Sequence, residues 1–139
     1  MSQSQMSSVQ LQSVHHIAII CSNYEVSKIF YTEVLGCTIV KETYRAERDS
    51  YKLDLAINGN YIIELFSFPN PPARPSQPES CGLRHLAFSV KDIEASIAAL
   101  ASKGVTCEPI RIDALTNKRF TFFADPDGLP LEIYEEFPF

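Results

Sequence analysis

No stretch of the 139-residue chain is apolar for anything near the ~20 residues a helix needs to cross a bilayer, which excludes a helical membrane span. Basic residues are in the minority. Twelve Lys and Arg stand against 17 Asp and Glu, and the resulting net charge of −5 argues against nucleic acid or an anionic membrane as the main partner. Cysteine is sparse and irregularly placed: Cys21, Cys37, Cys81 and Cys107 match neither a zinc ribbon nor a CxxC motif. The first 13 residues are rich in Ser and Gln, with no basic start and no apolar stretch, so they read as a flexible tail and not as a signal peptide. The four cysteines are then most simply reduced thiols of a cytoplasmic protein, in core or surface positions. With 45% apolar and 21% charged residues, the chain has the composition of one folded domain, or of two half-domains sharing a core.

Histidine is scarcer still, with three in the chain, and here the sequence becomes informative. Val14-His15-His16-Ile17-Ala18-Ile19 is echoed about 69 residues later by Leu83-Arg84-His85-Leu86-Ala87-Phe88. Tyr61-Ile62-Ile63-Glu64-Leu65-Phe66 is echoed by Leu129-Pro130-Leu131-Glu132-Ile133-Tyr134. The His-to-Glu separation is 48 residues in the first half and 47 in the second. Self-similarity at a fixed period marks a duplicated unit. Because polar residues recur along with the apolar framework, the duplication preserves a site, and two His with two Glu is metal-ligand chemistry.

The same order of elements is legible twice. Residues 14–20 alternate as a strand. Ser22 with Glu25 forms a capping-box pattern, Val26, Ile29, Phe30 and Val34 form one helical face, and Gly36 ends the helix. Strands follow at 37–45, 52–58 and 60–67, the last two joined by a tight Asn58-Gly59 turn. The second half reads as a strand at 83–90, then a helix capped by Asp92 with an Ile93, Ile97, Leu100, Ala101 stripe. Strands near 106–112, 119–124 and 129–136 complete it, with Asp125-Pro126-Asp127-Gly128 as a turn. The domain layout is a tail (1–13), a first βαβββ module (14–68), a linker (69–82) and a second module (83–136). Five of the nine prolines fall between Pro69 and Pro78, which makes that linker stiff.

Strand alternation places His16 with Ala18 and His85 with Ala87, so a small neighbour leaves space beside each imidazole. Glu64 and Glu132 lie in apolar frames where an ionised carboxylate costs several kcal/mol unless it is paired or metal-bound. His15 falls on the opposite strand face from His16 and reads as structural or surface.

These residues, His16 in HHIAI, Glu64 in YIIELF, His85 in GLRHLAFSV and Glu132 in DPDGLPLEIYE, resemble the motif set of the vicinal oxygen chelate superfamily. That superfamily includes glyoxalase I, bleomycin-resistance proteins and extradiol dioxygenases. The stretches RHLAFSV, KRFTFFADPDGLPLE and IELFSFP are most similar to the YaeR-type glyoxalase I-like subgroup, and the resemblance runs from Val14 to Glu136. It implies an α+β fold of tandem βαβββ modules forming an incomplete eight-stranded barrel around one divalent ion (Ni, Co, Mn, Fe or Zn). His16, Glu64, His85 and Glu132 match the four ligand positions. The implied activity is that of a metal-dependent lyase or isomerase, lactoylglutathione lyase-like, which removes a proton beside a metal-bound carbonyl and stabilises the enediolate. Glu132 is the implied base, with Glu64 the second candidate. Other readings within the superfamily are a resistance transferase, an epimerase, a dioxygenase or a small-molecule-binding resistance module.

The substrate is expected to be a small molecule, such as a thiol–aldehyde adduct. If Asp125 to Gly128 form a four-residue turn, Glu132 lies opposite Thr121, and Arg119 and Phe123 share its inward face as substrate-binding candidates. The alternative is a rim Arg119 paired with Glu135 or Glu136. Arg45 and Arg48 in YRAERDS are further candidates. Equivalent pairing in the first hairpin sets Leu53 opposite Glu64, with no equivalent charge. Finally, a ten-residue Pro-rich linker spans about 30 Å when extended. That reach suits a homodimer in which His16 and Glu64 of one chain face His85 and Glu132 of another.

Overall fold

The protein is described by a computed structural model covering residues 8–136. The first module comprises β1 (Ile17–Cys21), α1 (Tyr24–Ile29) running into a π-helical turn (Phe30–Val34), β2 (Thr38–Arg45), a 3-10 turn (Ala46–Arg48), β3 (Ser50–Ile57) and β4 (Asn60–Ser67). The second comprises β5 (Leu86–Val90), α2 (Ile93–Ser102), β6 (Arg111–Ile112), β7 (Arg119–Ala124) and β8 (Pro130–Glu135). The fold is α+β, the βαβββ unit twice over. The strands form two four-stranded sheets, ordered β1-β4-β3-β2 and β5-β8-β7-β6, and among the described residues no hydrogen bonding closes them into one barrel. In each, the first strand runs parallel to the last and the remaining pairs are antiparallel.

Local chemistry accounts for most boundaries. The Asp92 side chain accepts from the Ala95 N–H at 3.0 Å and caps α2 as its sequence suggests. The cap of α1 is Asn23, which accepts from Val26 N–H at 3.2 Å, and not Ser22. Ser22 is drawn away by Asp127 of the β7–β8 turn, which accepts from both its backbone N–H and its hydroxyl. The apolar stripe of α1 also differs from the expected one. Ser27, Phe30 and Tyr31 face the core, while Val26 and Ile29 are about half exposed. Between β3 and β4, Asn58 and Gly59 both take positive φ, the backbone that a two-residue turn of this hand requires. β6 is shorter than expected because residues 106–110 meet β7 through isolated bonds only, Glu108 N–H to Phe122 O at 2.9 Å and Thr121 Oγ1 to Glu108 O at 2.6 Å.

The buried apolar side chains of both modules form one cluster, with Ile19, Tyr31, Leu53 and Ile63 from the first and Ile93, Phe123, Leu131 and Ile133 from the second. Tyr31, which is fully buried, donates to Asp125 Oδ2 at 2.8 Å across the module boundary. Asp125 Oδ1 meanwhile accepts from the Asp127 and Leu129 N–H groups and shapes the β7–β8 turn. Tyr31→Phe leaves that carboxylate oxygen without its donor, so it should destabilise the protein by about 1–3 kcal/mol in urea unfolding. A loss below ~0.5 kcal/mol, the scatter of ordinary surface changes, would show that the bond does not tie the modules together.

The linker is not the extended rod that its prolines suggest. It turns at residues 76–79, and Arg74 Nη2 donates back to Leu83 O at 2.7 Å and Arg84 O at 3.0 Å. The tail expected over residues 1–13 lies partly outside the described residues, and residues 8–13 form neither helix nor strand. Among the described residues, no helix is long and apolar enough to cross a membrane.

Candidate metal centre

Each sheet has two unlike faces. Ile19, Cys21, Ile63, Leu65, Leu53 and Leu55 turn one face of the first sheet to the core. By alternation Ala18, Ile20, Glu64 and Phe66 lie on the other, where Ala18 and Ile20 are exposed. The second sheet repeats the arrangement, with Leu131, Ile133, Thr121 and Phe123 inward and Ala87, Ser89, Phe122 and Glu132 outward.

The His and Glu of each module meet on that outward face. Ala18 is the parallel-strand partner of Glu64, and Ala87 of Glu132, an identical register in both sheets. His16, just ahead of β1, places Nε2 3.5 Å from Glu64 Oε2, and His85, just ahead of β5, places Nε2 3.1 Å from Glu132 Oε1. The alanine beside each pair leaves the carboxylate room on the strand that carries the imidazole.

The residue preceding each histidine holds its ring. His15 Nδ1 lies 2.8 Å from His16 Nδ1, and Arg84 Nη1 donates to His85 Nδ1 at 3.1 Å. Both contacts occupy Nδ1 and leave Nε2 facing the glutamate. Arg84 is itself anchored through Nε to Glu79 at 3.0 Å.

The two carboxylates are not equivalent. Glu64 is 8% exposed and accepts from the Tyr61 hydroxyl, and Lys52 Nζ lies 3.6 Å away while bonding Asp54 at 2.8 Å. Tyr61 reaches Asp54 as well, at 3.3 Å. Burial first, then the acceptors Glu64 and Asp54, raise the Tyr61 phenol well above its ordinary range, and Asp54 raises the Lys52 ammonium. Glu132, by contrast, has His85 as its one polar partner among the described residues. Its cross-strand neighbour is Phe122, whose ring sits edge-on to the His85 ring with centroids 5.1 Å apart.

That pairing corrects the expected hairpin registers. Glu132 lies opposite Phe122 and not Thr121, because Leu129 joins the turn, accepting from Asp125 N–H at 3.0 Å. Arg119 and Phe123 therefore fall on the opposite face of β7 from Glu132. Phe123 is packed in the core, and Arg119 grips Glu135 through two bonds of 2.9 Å and Glu94 at 3.1 Å. Of the two readings of Arg119, the geometry matches the paired rim residue. Likewise Glu64 lies opposite Asp54 and not Leu53, since the β3–β4 ladder slips by one residue between Leu55 and Ala56. The first hairpin thus carries charge beside its glutamate, from Asp54 and Lys52. Tyr61, Asp54, Lys52, Phe122 and Arg84 were missed in the sequence. The one available signal was that Arg84 and His15 occupy equivalent repeat positions.

All four cysteines are free. Burial pushes the Cys21 and Cys37 thiols up to about 11, so neither supplies a thiolate near neutral pH. Among the described residues, no three His, Cys, Asp or Glu side chains gather closely enough to hold an ion. Each module therefore presents a two-donor half-site of one imidazole and one carboxylate, and two such halves make the nitrogen–oxygen donor set that divalent transition metals accept.

Residues 13–133 match the family described as the Glyoxalase/Bleomycin resistance protein/Dioxygenase superfamily. The chain is 66% identical over 126 residues to YaeR of Escherichia coli, covering 91% of this chain and 98% of that protein. It is 62% identical to YwkD of Bacillus subtilis with the same coverage. The crystal structure of a glyoxalase family protein from Enterococcus faecalis superposes with a TM-score of 0.83 at 49% identity, over 89% of this chain and 98% of that one.

Proposed function

We propose that this chain, which belongs to the Glyoxalase/Bleomycin resistance protein/Dioxygenase superfamily, is a metal-dependent lyase or isomerase of the glyoxalase I type acting on a small carbonyl compound such as a thiol–aldehyde adduct. The observation that carries the reading is the repeated half-site, His16 with Glu64 and His85 with Glu132, at one register on the outward faces of two sheets. The four side chains would hold one divalent ion. When bound, the ion draws electron density from a substrate carbonyl and so acidifies the adjacent carbon.

The chain's own groups divide the remaining work. Glu64, gripped by Tyr61 and Lys52, is a positioned ligand with little freedom to leave. Among the described residues Glu132 is tethered through His85 alone, so its carboxylate can take a proton from the carbon beside the carbonyl and return it to a neighbouring carbon. Arg84, a donor only, makes Nδ1 of the neutral His85 ring an acceptor, which puts the ring proton on Nε2, directed at Glu132. Holding an ion through Nε2 would require that proton to sit on Nδ1 instead, with Arg84 turned toward the Glu79 carboxylate it already contacts. Phe122, lying against His85, shields that side of the pair from water. The free cysteines suit a cytoplasmic protein.

Two half-sites on uncovered faces call for a second chain. In the proposed homodimer, His16 and Glu64 of one protomer face His85 and Glu132 of its partner. The support is the outward aim of both pairs, and not linker reach, since the linker folds back on itself. Refolding a His16→Ala chain together with a His85→Ala chain should restore one complete metal site per heterodimer. Dimers that recover no metal would place the sites within single chains. The function itself is tested by metal analysis followed by an assay of hemithioacetal isomerisation. A metal-bearing protein inactive on glutathione and other thiol adducts would move the reading to an epimerase or resistance enzyme of the same superfamily.

A further inference from the structure

The outward face of the first sheet continues past Glu64 into a group of cations that the proposed chemistry does not use. Phe66 is two residues along β4 from Glu64 and lies across from Lys52. The Arg45 guanidinium at the end of β2 stacks 4.9 Å over the Phe66 ring and 5.6 Å over Phe68. Arg48, in the 3-10 turn that follows, lies 4.9 Å over the other ring of the pair, Phe68. The two phenyl rings are themselves stacked, with planes 10° apart. Asp49, with φ of 47°, caps this turn and returns the chain into β3 at Ser50. Ser50 is fully buried and accepts from Arg45 Nη2 at 2.8 Å, which fixes the guanidinium in its plane.

Acids outnumber bases 17 to 12 in this chain, and Arg84, Arg111 and Arg119 each pair with a carboxylate. Arg45 and Arg48 have no carboxylate partner among the described residues, and the Nε of Arg45 is buried with no hydrogen-bond partner. A guanidinium over an aromatic face can still donate from its planar edge to an oxyanion, and in Arg45 the donors other than the buried Nε and the Nη2 hydrogen given to Ser50 remain for that. Ordering such a side chain normally weakens anion binding. Here Ser50 and two phenyl rings order Arg45 in advance.

We propose that Arg45 and Arg48 on Phe66 and Phe68 bind the anionic end of the substrate, a carboxylate or phosphate carried about 7–10 Å from the oxygens that reach Glu64, the strand spacing from Glu64 to Phe66 plus the height of the stacked cation. The assignment to a substrate rests on the function proposed above, whereas the anion site does not. It defines a ligand with two unlike ends, a carbonyl-bearing end at the His–Glu pairs and an oxyanion held between cations on aromatic rings.

The test is calorimetric titration of the purified full-length protein with inorganic phosphate and, separately, with malonate. Wild type should bind at least one of them, and the tighter one identifies the class of anion. Arg48→Gln, at an exposed position, should weaken binding at least ~5-fold with an unchanged melting temperature, and Arg45→Gln at least ~10-fold, the scale of lost charge-assisted bonds. Arg45→Lys should fail to rescue, because an ammonium has neither the fork nor the stacking plane. His16→Ala should bind the anion as wild type does. Absence of binding by wild type, wild-type affinity in both Arg variants, or loss in His16→Ala as complete as in Arg45→Gln would each overturn the proposal. If the protein carries no metal yet binds the anion in an Arg45-dependent way, the anion site stands and the proposed enzymatic function falls.

Discussion

Purified wild-type protein is expected to carry about one divalent ion per chain, and His16→Ala or His85→Ala to carry essentially none. The expectation follows from the division of the donors. Each module contributes one imidazole and one carboxylate, so removing one histidine leaves a single nitrogen among acidic groups, with Asp54 close to Glu64. Such a set loses one of its two imidazole donors, which favour transition metals, and is left dominated by hard oxygens. The two variants should behave alike, because the register around His16 and His85 is the same. Metal analysis by mass spectrometry after gel filtration gives the answer. Equal occupancy in wild type and both variants would remove the site from these residues.

Glu132→Gln should lower turnover at least ~100-fold, the scale of a lost general base, while metal content falls less than in the histidine variants. Glutamine keeps the size and one oxygen donor but cannot accept a proton. The contrast with Glu64→Gln carries the argument. Glu64 is held by Tyr61 and approached by Lys52, so its replacement should show first as weakened metal retention and displaced neighbours. If Glu64→Gln is the more damaging change to turnover at equal metal load, the base belongs to the first module.

The duplicated module, the His and Glu of each half, and the helix cap at Asp92 were legible because each is written locally, as a repeated phrase or as a side chain beside the backbone it caps. The hairpin registers were not. Strand alternation has a period of two, so one extra residue sends every side chain to the other face. Leu129 in the second turn and the slip after Leu55 in the first each supply that one residue. This is why Arg119 and Phe123 fall away from Glu132, and why Asp54 was overlooked. The helix start at Asn23 is hidden from the sequence for a different reason. Ser22 is a good local cap, but Asp127, 105 residues away, competes for it, and no local pattern announces that partner.

The contact running from Glu79 through Arg84 to His85 has a practical consequence for anyone rebuilding this chain. The segment between the modules is tied to the ring that would receive the ion: it supplies Glu79, toward which Arg84 would have to turn if His85 held metal, and it is clasped by Arg74 to the backbone just ahead of that ring. Swapping residues 69–82 for a Gly-Ser spacer of equal length would keep the two halves joined. It would also remove that tie, so the loss should register as altered metal uptake kinetics in an otherwise intact fold.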